Sequence, residues 1–321
     1  MSKKITRQDL REAAEKYKNW GKWGPDDEVG TLNYTSAADI IAAASLVRKG
    51  KVISLALNFD HTGPQGAKSN YPAMGRTNPI HTMIRTGTDA YSGVLDKRGI
   101  RAADDMVTMP LQCGTQWDGL GHVFYESFMW NGYDCREVTS AGAQKCGIEK
   151  TKSKMVGRGV LLDVARALGR DVLEPGYPIT PADLDAASEL ARVDLEPGDI
   201  VLVRTGQMVH LAPERRDLVA YTWPSPGLTI ETADWFHAHD VAAVATDTLV
   251  FEVFPCQYEE AYLPVHVLHL VEMGLTQGQN WVLDPLSDAC AADGRFTFLL
   301  DATPLPLVDG LGSPLQPVAL R

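Results

Sequence analysis

The 321 residues carry a formal net charge of −11 and are 45% hydrophobic and 22% charged, proportions typical of a globular protein. The acidic balance argues against a nucleic-acid partner, which requires a basic surface to neutralise phosphates. No apolar run approaches the roughly 20 residues that span a bilayer, so no membrane partner is expected.

The N-terminus and the cysteines favour the same compartment. Residues 1–20 are charged and helix-like and contain no apolar secretion signal. The five cysteines are scattered and form no C-x-x-C pair, which is typical of reduced thiols and not of a disulfide framework or a thiolate zinc site. We therefore expect a cytoplasmic protein.

The N-terminal part of the chain predicts few regular elements. Residues 7–20 place apolar side chains on one face of a helix, and Ser36 is positioned to cap a second helix that would stop at Gly50. Residues 52–57 predict a strand. Residues 58–99 are rich in turn formers and predict loops that carry a hairpin.

Strands and helices alternate more regularly further along the chain. Alternation of this kind predicts an α/β fold. No linker or internal repeat interrupts it, so we expect one domain over residues 1–321, less regular over about residues 1–100. The predicted strands cover residues 106–112, 159–164, 199–206, 241–249 and 295–302. Three helices are predicted as well: one begins at Thr180, one follows a cap at Thr229, and one runs from residue 264 to Gly274.

The stretch MPLQCGTQWDGLGH (109–122) carries the chemistry. Gln112, Gln116, Asp118 and His122 stand at even positions, so along an extended chain their side chains would face the same way. An Asp–His pair can bind a hard divalent cation or perform acid–base chemistry. Glutamine oxygens shift preference from zinc towards manganese, magnesium or calcium and lower affinity. A loop whose amides bond only to backbone is the alternative.

QCGTQWDGLGH resembles the signature loop of the cyclase family of metal-dependent hydrolases, which includes bacterial kynurenine formamidase and isatin hydrolase. The family signature is His-x-Gly-Thr-His-x-Asp-x-Pro-x-His, and its histidines align with Gln112, Gln116 and His122. The Gly-Thr-Gln-Trp-Asp spelling resembles a branch of the family. Further similar segments follow in family order over nearly the whole chain: NWGKWGPDDEVGTLN, EPGDIVLVRTG, PGLTIETADWF, TDTLVFEVFP and LPVHVLHLVEMGL.

The resemblance implies a swivelling β/β/α arrangement, assembled as a homodimer or homotetramer. It also implies a divalent metal, with Gln112, Gln116 and Asp118 at the first site. A second metal would share Asp118 and take His266 and the position of a family glutamate, which is Gln279 here. Because three of these five positions are glutamine here, we expect Mn²⁺ to be favoured over Zn²⁺, with weak binding or none.

Several roles follow from this resemblance. His122 matches the proposed general acid–base of the family, with Asp118 beside it. His269 lies one turn from His266 but matches no ligand. Independently of the resemblance, we predict substrate contacts from Trp117, an aromatic beside the polar positions, and from Arg204 and Thr205, at the end of a predicted strand.

The predicted function is that of a metal-dependent hydrolase opening an amide, lactam or lactone bond in a small, cyclic substrate. Two alternatives stay open. One is a metal-free lyase, dehydratase or cyclase that uses the glutamine amides and His122. The other is a catalytically quiet protein that binds a small molecule.

Overall fold

A computed structural model describes residues 4–65, 75–93, 99–257 and 262–321. Among these residues, the α-helices are α1 (Arg7–Tyr17), α2 (Ala37–Ala44), α3 (Gly87–Tyr91), α4 (Val164–Ala167), α5 (Pro181–Ala191), α6 (Leu218–Thr222), α7 (Thr232–Ala238), α8 (Pro264–His266) and α9 (Asp284–Asp293). A π-helix, Val267–Met273, continues α8, and 3-10 helices cover Gly30–Tyr34, Trp130–Gly132, Cys135–Glu137, Ile148–Thr151 and Gln207–Leu211.

The strands of the same residues include several of only two or three residues. They are β1 (Val52–Ser54), β2 (Ile80–Arg85), β3 (Asp104–Thr108), β4 (Gln116–Asp118), β5 (Val138–Thr139), β6 (Gly142–Ala143), β7 (Val156–Asp163), β8 (Pro178–Ile179), β9 (Ile200–Arg204), β10 (Gly227–Leu228), β11 (Ala243–Thr246), β12 (Thr276–Gln279), β13 (Thr297–Asp301), β14 (Gly312–Pro314) and β15 (Val318–Leu320).

Within the described residues, nine strands form one mixed sheet in the order β1-β15-β13-β7-β9-β11-β12-β4-β14. The four strands β7, β9, β11 and β12 are parallel neighbours, so their carboxyl ends meet at one edge. Strand β4 runs antiparallel to β12, with Gln116 opposite Gln279. The signature loop is therefore placed at the edge where ligands commonly bind in α/β sheets.

The sheet is buried on both faces, which explains the nearly continuous apolar runs of its parallel strands. Alternate residues of β9 belong to two different cores: Val201 and Val203 to one, and Ile200 and Leu202 to the other. The first core includes side chains of α5, α7 and the π-helix, and the second includes Trp117, Trp281 and Phe298.

Helix starts agree with their capping signals more closely than helix ends do. Ser36 and Thr180 form capping boxes with an Asp at the third helical position, which confirms both predicted starts. The helix after Ser36 ends at Ala44 and not near Gly50. The predicted cap at Thr229 is wrong, since α7 begins at Thr232 and the N-cap is Glu231.

The predicted strand over residues 106–112 is corrected by the structure. Strand β3 ends at Thr108 after pairing with β2 in an exposed hairpin, and Gln112 lies in a turn. Pro110 follows the strand end, and proline cannot donate to a strand ladder. Gln112 and Gln116 therefore do not lie on one extended strand.

The predicted helix that carries His266 ends at Gly274, as expected, in a left-handed conformation with φ of 69°. Its second part is a π-helix, a form that often occurs at functional sites. His269 is 0% exposed and packs edge-on against Phe236 and Phe251. Burial lowers the pKa of His269 to about 3, so the ring is a neutral core residue.

None of the helices in the described part of the chain is long and apolar enough to cross a bilayer.

Candidate active site at the edge of the parallel strands

Asp118 is buried, 2% exposed, and its carboxylate accepts hydrogen bonds from two carboxamides. Gln279 Nε2 donates to Oδ2 at 2.7 Å, and Gln116 Nε2 donates to Oδ1 at 3.3 Å. Gln116 Nε2 also donates to Gln279 Oε1 at 2.6 Å. These three side chains, which we name the amide–carboxylate cluster, form a closed hydrogen-bonded ring between β4 and β12.

The orientation of both amides follows from the charge of Asp118. An ionised carboxylate only accepts hydrogen bonds, so the group of Gln279 that faces Oδ2 must be its NH₂. The oxygen of Gln279 then faces Gln116, which must present its own NH₂ in turn. Gln116 Oε1 is left buried without a hydrogen-bond partner.

His122 lies against this cluster because the chain turns immediately after β4. The His122 backbone N–H donates to the Gly119 carbonyl at 3.0 Å and closes that turn. A Cβ on Gly119 would lie 3.1 Å from the Leu311 carbonyl oxygen, so glycine allows the close approach. The turn brings His122 Nε2 to 3.7 Å from Asp118 Oδ1, with 23% of the His122 side chain exposed.

The environment favours the neutral form of His122. Burial lowers its pKa below the usual 6.5, while the Asp118 carboxylate opposes that shift and the charges of Arg76 and His266 add to it. A neutral imidazole near neutral pH can accept a proton. The His122–Asp118 pair therefore has the composition and the protonation state of an acid–base centre.

His266 is held by a carboxylate that sequence reasoning missed. Glu252 Oε1 contacts His266 Nδ1 at 2.6 Å and accepts the His266 backbone N–H at 3.1 Å, while Oε2 accepts the Val265 N–H at 3.2 Å. A carboxylate on one ring nitrogen fixes the orientation of imidazole and leaves Nε2 for another contact. The one sequence signal for Glu252 is an acid within the apolar run VFEVF.

Gln112 flanks the cluster without joining it. Its Nε2 lies 2.7 Å from the position that a Cβ on Gly312 would occupy, and Gly312 stands opposite Asp118 on β14. The missing side chain at Gly312 thus makes room for the Gln112 amide. Within the described chain, no group hydrogen-bonds to that amide.

The Gly-Thr pair of the signature has a structural role. Thr115 Oγ1 donates to the Asn280 carbonyl at 2.6 Å and accepts the Leu57 N–H at 2.8 Å. Asn280 Nδ2 donates to the Gly114 carbonyl at 3.0 Å, and Tyr221 donates its hydroxyl proton to Asn280 Oδ1 at 2.7 Å. These bonds hold the start of β4 against the end of β12 and so position the amide–carboxylate cluster.

Trp117 does not face the site, which contradicts its predicted substrate contact. It stands between Gln116 and Asp118 on β4, so its side chain projects to the opposite face. The indole is 0% exposed, donates from Nε1 to the Ala302 carbonyl at 2.8 Å and packs on Trp281. Trp117 is a core residue.

Arg204 and Thr205 are also committed to protein partners. Arg204 donates to Asp163 at 2.9 Å and to Asp284 at 2.7 Å. The Thr205 N–H and hydroxyl both bond to Asp247, at 2.9 Å and 2.7 Å to Oδ1. Both donors of Thr205 are thus occupied, which contradicts its predicted substrate contact. Arg204 also lines a cavity with Gly206 and Met208, so its predicted contact stays a prediction.

The orientation of the donor atoms determines whether this site can hold the expected metal. Gln279 Oε1 accepts from Gln116, Gln116 Oε1 turns away from Asp118, and N–H groups cover both oxygens of Asp118. Divalent cations bind through donor atoms that converge on one point, and each anionic ligand among those donors strengthens the binding. The described residues also contain no group of three or more His, Cys, Asp or Glu that could hold a metal ion. In this arrangement the residues do not fit a resident divalent cation.

Comparison with known proteins defines the class of this fold. An isatin hydrolase bound to the product analogue thioisatinate has a TM-score of 0.62 at 16% identity, covering 89% of this chain and 99% of its own. Isatin hydrolase A from Labrenzia aggregata has a TM-score of 0.59 at 20% identity, covering 89% and 98%. The chain thus has the mixed α/β fold found in these structures.

The family follows from closer relatives. A crystal structure described as a novel cyclase is 40% identical, with a TM-score of 0.87, and the match covers 96% of this chain and 99% of that one. The model of the Cyclase family matches residues 33–253. The chain belongs to the cyclase family, which confirms the resemblance of its signature loop. None of the curated proteins matches this sequence significantly.

Proposed function

We propose that this protein is a hydrolase that opens an amide, lactam or lactone bond in a small, cyclic substrate. The observation that carries the proposal is the position of His122 Nε2, 3.7 Å from a buried carboxylate that two amides hold in place. The names of structures with the same fold support it. They include isatin hydrolases, whose named substrate contains a lactam ring, and a predicted metal-dependent hydrolase from Bacillus stearothermophilus at 17% identity and a TM-score of 0.51, covering 84% of this chain and 97% of that one.

In the proposed reaction, neutral His122 accepts a proton from water while the water oxygen attacks the substrate carbonyl carbon. The imidazolium that forms faces Asp118, whose negative charge stabilises it. The bond from carbon to nitrogen or oxygen then breaks, and His122 returns the proton to the leaving atom. The products are a carboxylic acid and an amine or alcohol, joined in one molecule when the substrate is cyclic.

The negative charge on the substrate oxygen requires a hydrogen-bond donor in the intermediate. The amide of Gln112 is half-buried, stands beside the cluster, and has no partner among the described residues. We assign Gln112 Nε2 to this role. His266, oriented by Glu252, lies near enough to His122 for its charge to affect the pKa of that ring, and its Nε2 is available for a second substrate contact.

The test is hydrolysis of a panel of lactams, lactones and formamides by the wild type and by His122→Gln. We expect the variant to lose about two to four orders of magnitude in kcat, the usual contribution of a general acid–base. His239→Gln is the matched control, because His239 lies at the end of α7 and its Nδ1 contacts the Trp235 carbonyl. Full activity in His122→Gln would remove the assigned role.

A metal-free elimination or ring closure is the second candidate, and the amide donors around Asp118 favour it, because amide N–H groups can stabilise an enolate oxygen. Reaction in water labelled with oxygen-18 distinguishes hydrolysis from elimination or ring closure. A hydrolase incorporates the label into the carboxylic acid, whereas an elimination or a cyclisation does not.

A further inference from the structure

We propose that Gln116 and Gln279 take the place of a divalent cation at Asp118, so that the site works without a resident metal. The statement that the site catalyses a reaction without a metal rests on the proposed function. The inference rests on the geometry of the amide–carboxylate cluster for its physical basis. Two solved structures with this fold are named as a predicted and a potential metal-dependent hydrolase. A site that works without a metal would therefore differ from what those names state.

The first step concerns charge. A buried carboxylate is unfavourable unless its charge is compensated. In the described part of the chain, no Lys or Arg forms an ion pair with Asp118, and its one ion-pair partner within 4.0 Å is His122. Two carboxamide nitrogens provide the compensation, one on each carboxylate oxygen. Hydrogen bonds to an ionised acceptor are stronger than those between neutral groups.

The second step concerns space. A cation at Asp118 would occupy the positions that the nitrogens of Gln116 and Gln279 now hold. Rotating the Gln279 amide to present its oxygen to a cation would break its hydrogen bond to Oδ2 of Asp118. Binding would therefore break the three hydrogen bonds of the cluster, and it would gain a single anionic ligand in return.

The third step concerns chemistry. A bound cation would add positive charge beside Asp118, whereas the neutral amide donors stabilise the carboxylate without adding a positive charge. Asp118 can then serve His122, 3.7 Å away, as an orienting and stabilising partner. Polarisation of the substrate carbonyl comes from N–H donors in this site and not from a Lewis acid.

The experiment measures metal directly. Wild-type protein is produced with manganese and zinc in the medium, purified without chelator and analysed for metal content, and then titrated with MnCl₂ and ZnCl₂ by calorimetry. We expect no stoichiometric metal and no heat of binding that depends on Asp118. About one equivalent of metal in the wild type, absent from Asp118→Asn, would overturn the proposal.

A triple variant supplies the positive control. Gln112→His, Gln116→His and Gln279→Glu together restore the ligands that the resemblance implies, and we expect them to bind Mn²⁺ at least about tenfold more tightly than the wild type does. The electron paramagnetic resonance spectrum of bound Mn²⁺ reports this gain whether or not the variant is active. If the triple variant does not fold, as judged by circular dichroism, the wild-type measurement decides alone.

The outcomes separate this inference from the proposed function. A wild type that hydrolyses the panel only after metal is added overturns the inference and leaves the hydrolase assignment standing. If the wild type binds no metal and hydrolyses nothing on the panel, the inference stands and the hydrolase assignment falls. Activity that survives treatment with EDTA, with no metal found by analysis, supports both.

Discussion

The protonation of His122 is set by three neighbours that act in opposite directions. Burial lowers its pKa, Asp118 raises it, and Arg76 and His266 lower it again. Removing the carboxylate in Asp118→Asn should therefore lower the pKa further, and removing the cation in Arg76→Met should raise it. Nuclear magnetic resonance titration of the ring measures both shifts.

The pH dependence of catalysis should follow the same signs. His122 must be neutral to accept a proton, so kcat/KM should fall as the pH drops through its pKa, below 6.5 in the wild type. The acid limb should move to lower pH in Asp118→Asn and to higher pH in Arg76→Met. A limb that moves to higher pH in Asp118→Asn would contradict the assignment of His122 as the base.

Individual site residues could be predicted to different extents. The alternation along β4 was sufficient to place Gln116 and Asp118 on one face, and the contact between them agrees with it. It also places Trp117 on the opposite face, although an aromatic residue beside the polar motif suggested a substrate contact. Glu252 could not be found this way, because its role depends on a helix start that approaches only in three dimensions.

At the scale of elements, the bonds of Thr115 hold β4 against the end of β12. Thr115→Val keeps the volume of the side chain but leaves the buried Asn280 carbonyl and the Leu57 N–H without their partner. We expect a loss of about 2–4 kcal/mol in the free energy of unfolding, measured by urea denaturation.

Thr115→Ser is the matched control, because it retains the hydroxyl and removes one methyl group, at a cost of about 1 kcal/mol. Equal losses in the two variants would show that packing, and not the hydrogen bonds, accounts for the effect of Thr115→Val.

The π-helix contains a buried acid, Glu272, whose ionisation is unfavourable. Glu272 is 3% exposed, its Oε2 has no hydrogen-bond partner, and burial raises its pKa from 4.5 to about 7. The folded protein thus binds a proton that the unfolded chain releases between these values, so stability should fall as the pH rises through that window.

Glu272→Gln removes the charge and keeps the shape. We expect it to raise the free energy of unfolding at pH 8 by at most about 3 kcal/mol and to change it little at pH 4, where the wild-type carboxyl is protonated. Thermal denaturation at the two pH values measures the difference. Equal effects at both would show that the charge of Glu272 is not the cause.

Long apolar strands and capped helices were predictable, whereas short polar strands were not. The runs in β7 and β9 and the capping box of Thr180 have clear local signals. Strand β12 reads TQGQ and contains no apolar side chain, yet every residue of it is buried. Of its side chains, Gln279 bonds to a tertiary partner, Asp118, which no local pattern contains.

At the scale of the whole molecule, the β2–β3 hairpin exposes several large apolar side chains. Every residue of both strands is exposed, including Ile80, Ile84 and Val107 at 55%, 60% and 53%. Exposed apolar patches commonly mark protein interfaces. We therefore expect this hairpin to pack against a second copy of the chain, consistent with the homodimer or homotetramer that the family resemblance implies.

The double variant Ile84→Lys with Val107→Lys should shift the protein to a monomer, because each lysine would bury a charge in the interface. Light scattering coupled to size-exclusion chromatography measures the mass. Ile41→Lys is the matched control, because Ile41 is 73% exposed and lies on α2, outside the hairpin. A wild type that is already monomeric would exclude the interface.

The overall fold was predictable because matching segments run along nearly the whole chain in family order. The chemistry of the site was less predictable, because the sequence indicates which residues meet but not whether the nitrogen or the oxygen of each amide faces its partner. The direction of the Gln116 and Gln279 amides depends on the charge of Asp118 and on the register of β4 with β12.

Anomalous X-ray diffraction at the manganese and zinc edges, from crystals grown with both metals present, tests the central claim most directly. The amide–carboxylate cluster predicts no anomalous peak near Asp118, with Gln116 and Gln279 nitrogens within hydrogen-bonding distance of its carboxylate. A strong peak about 2 Å from an Asp118 oxygen, with the two amides rotated to present their oxygens, would contradict it.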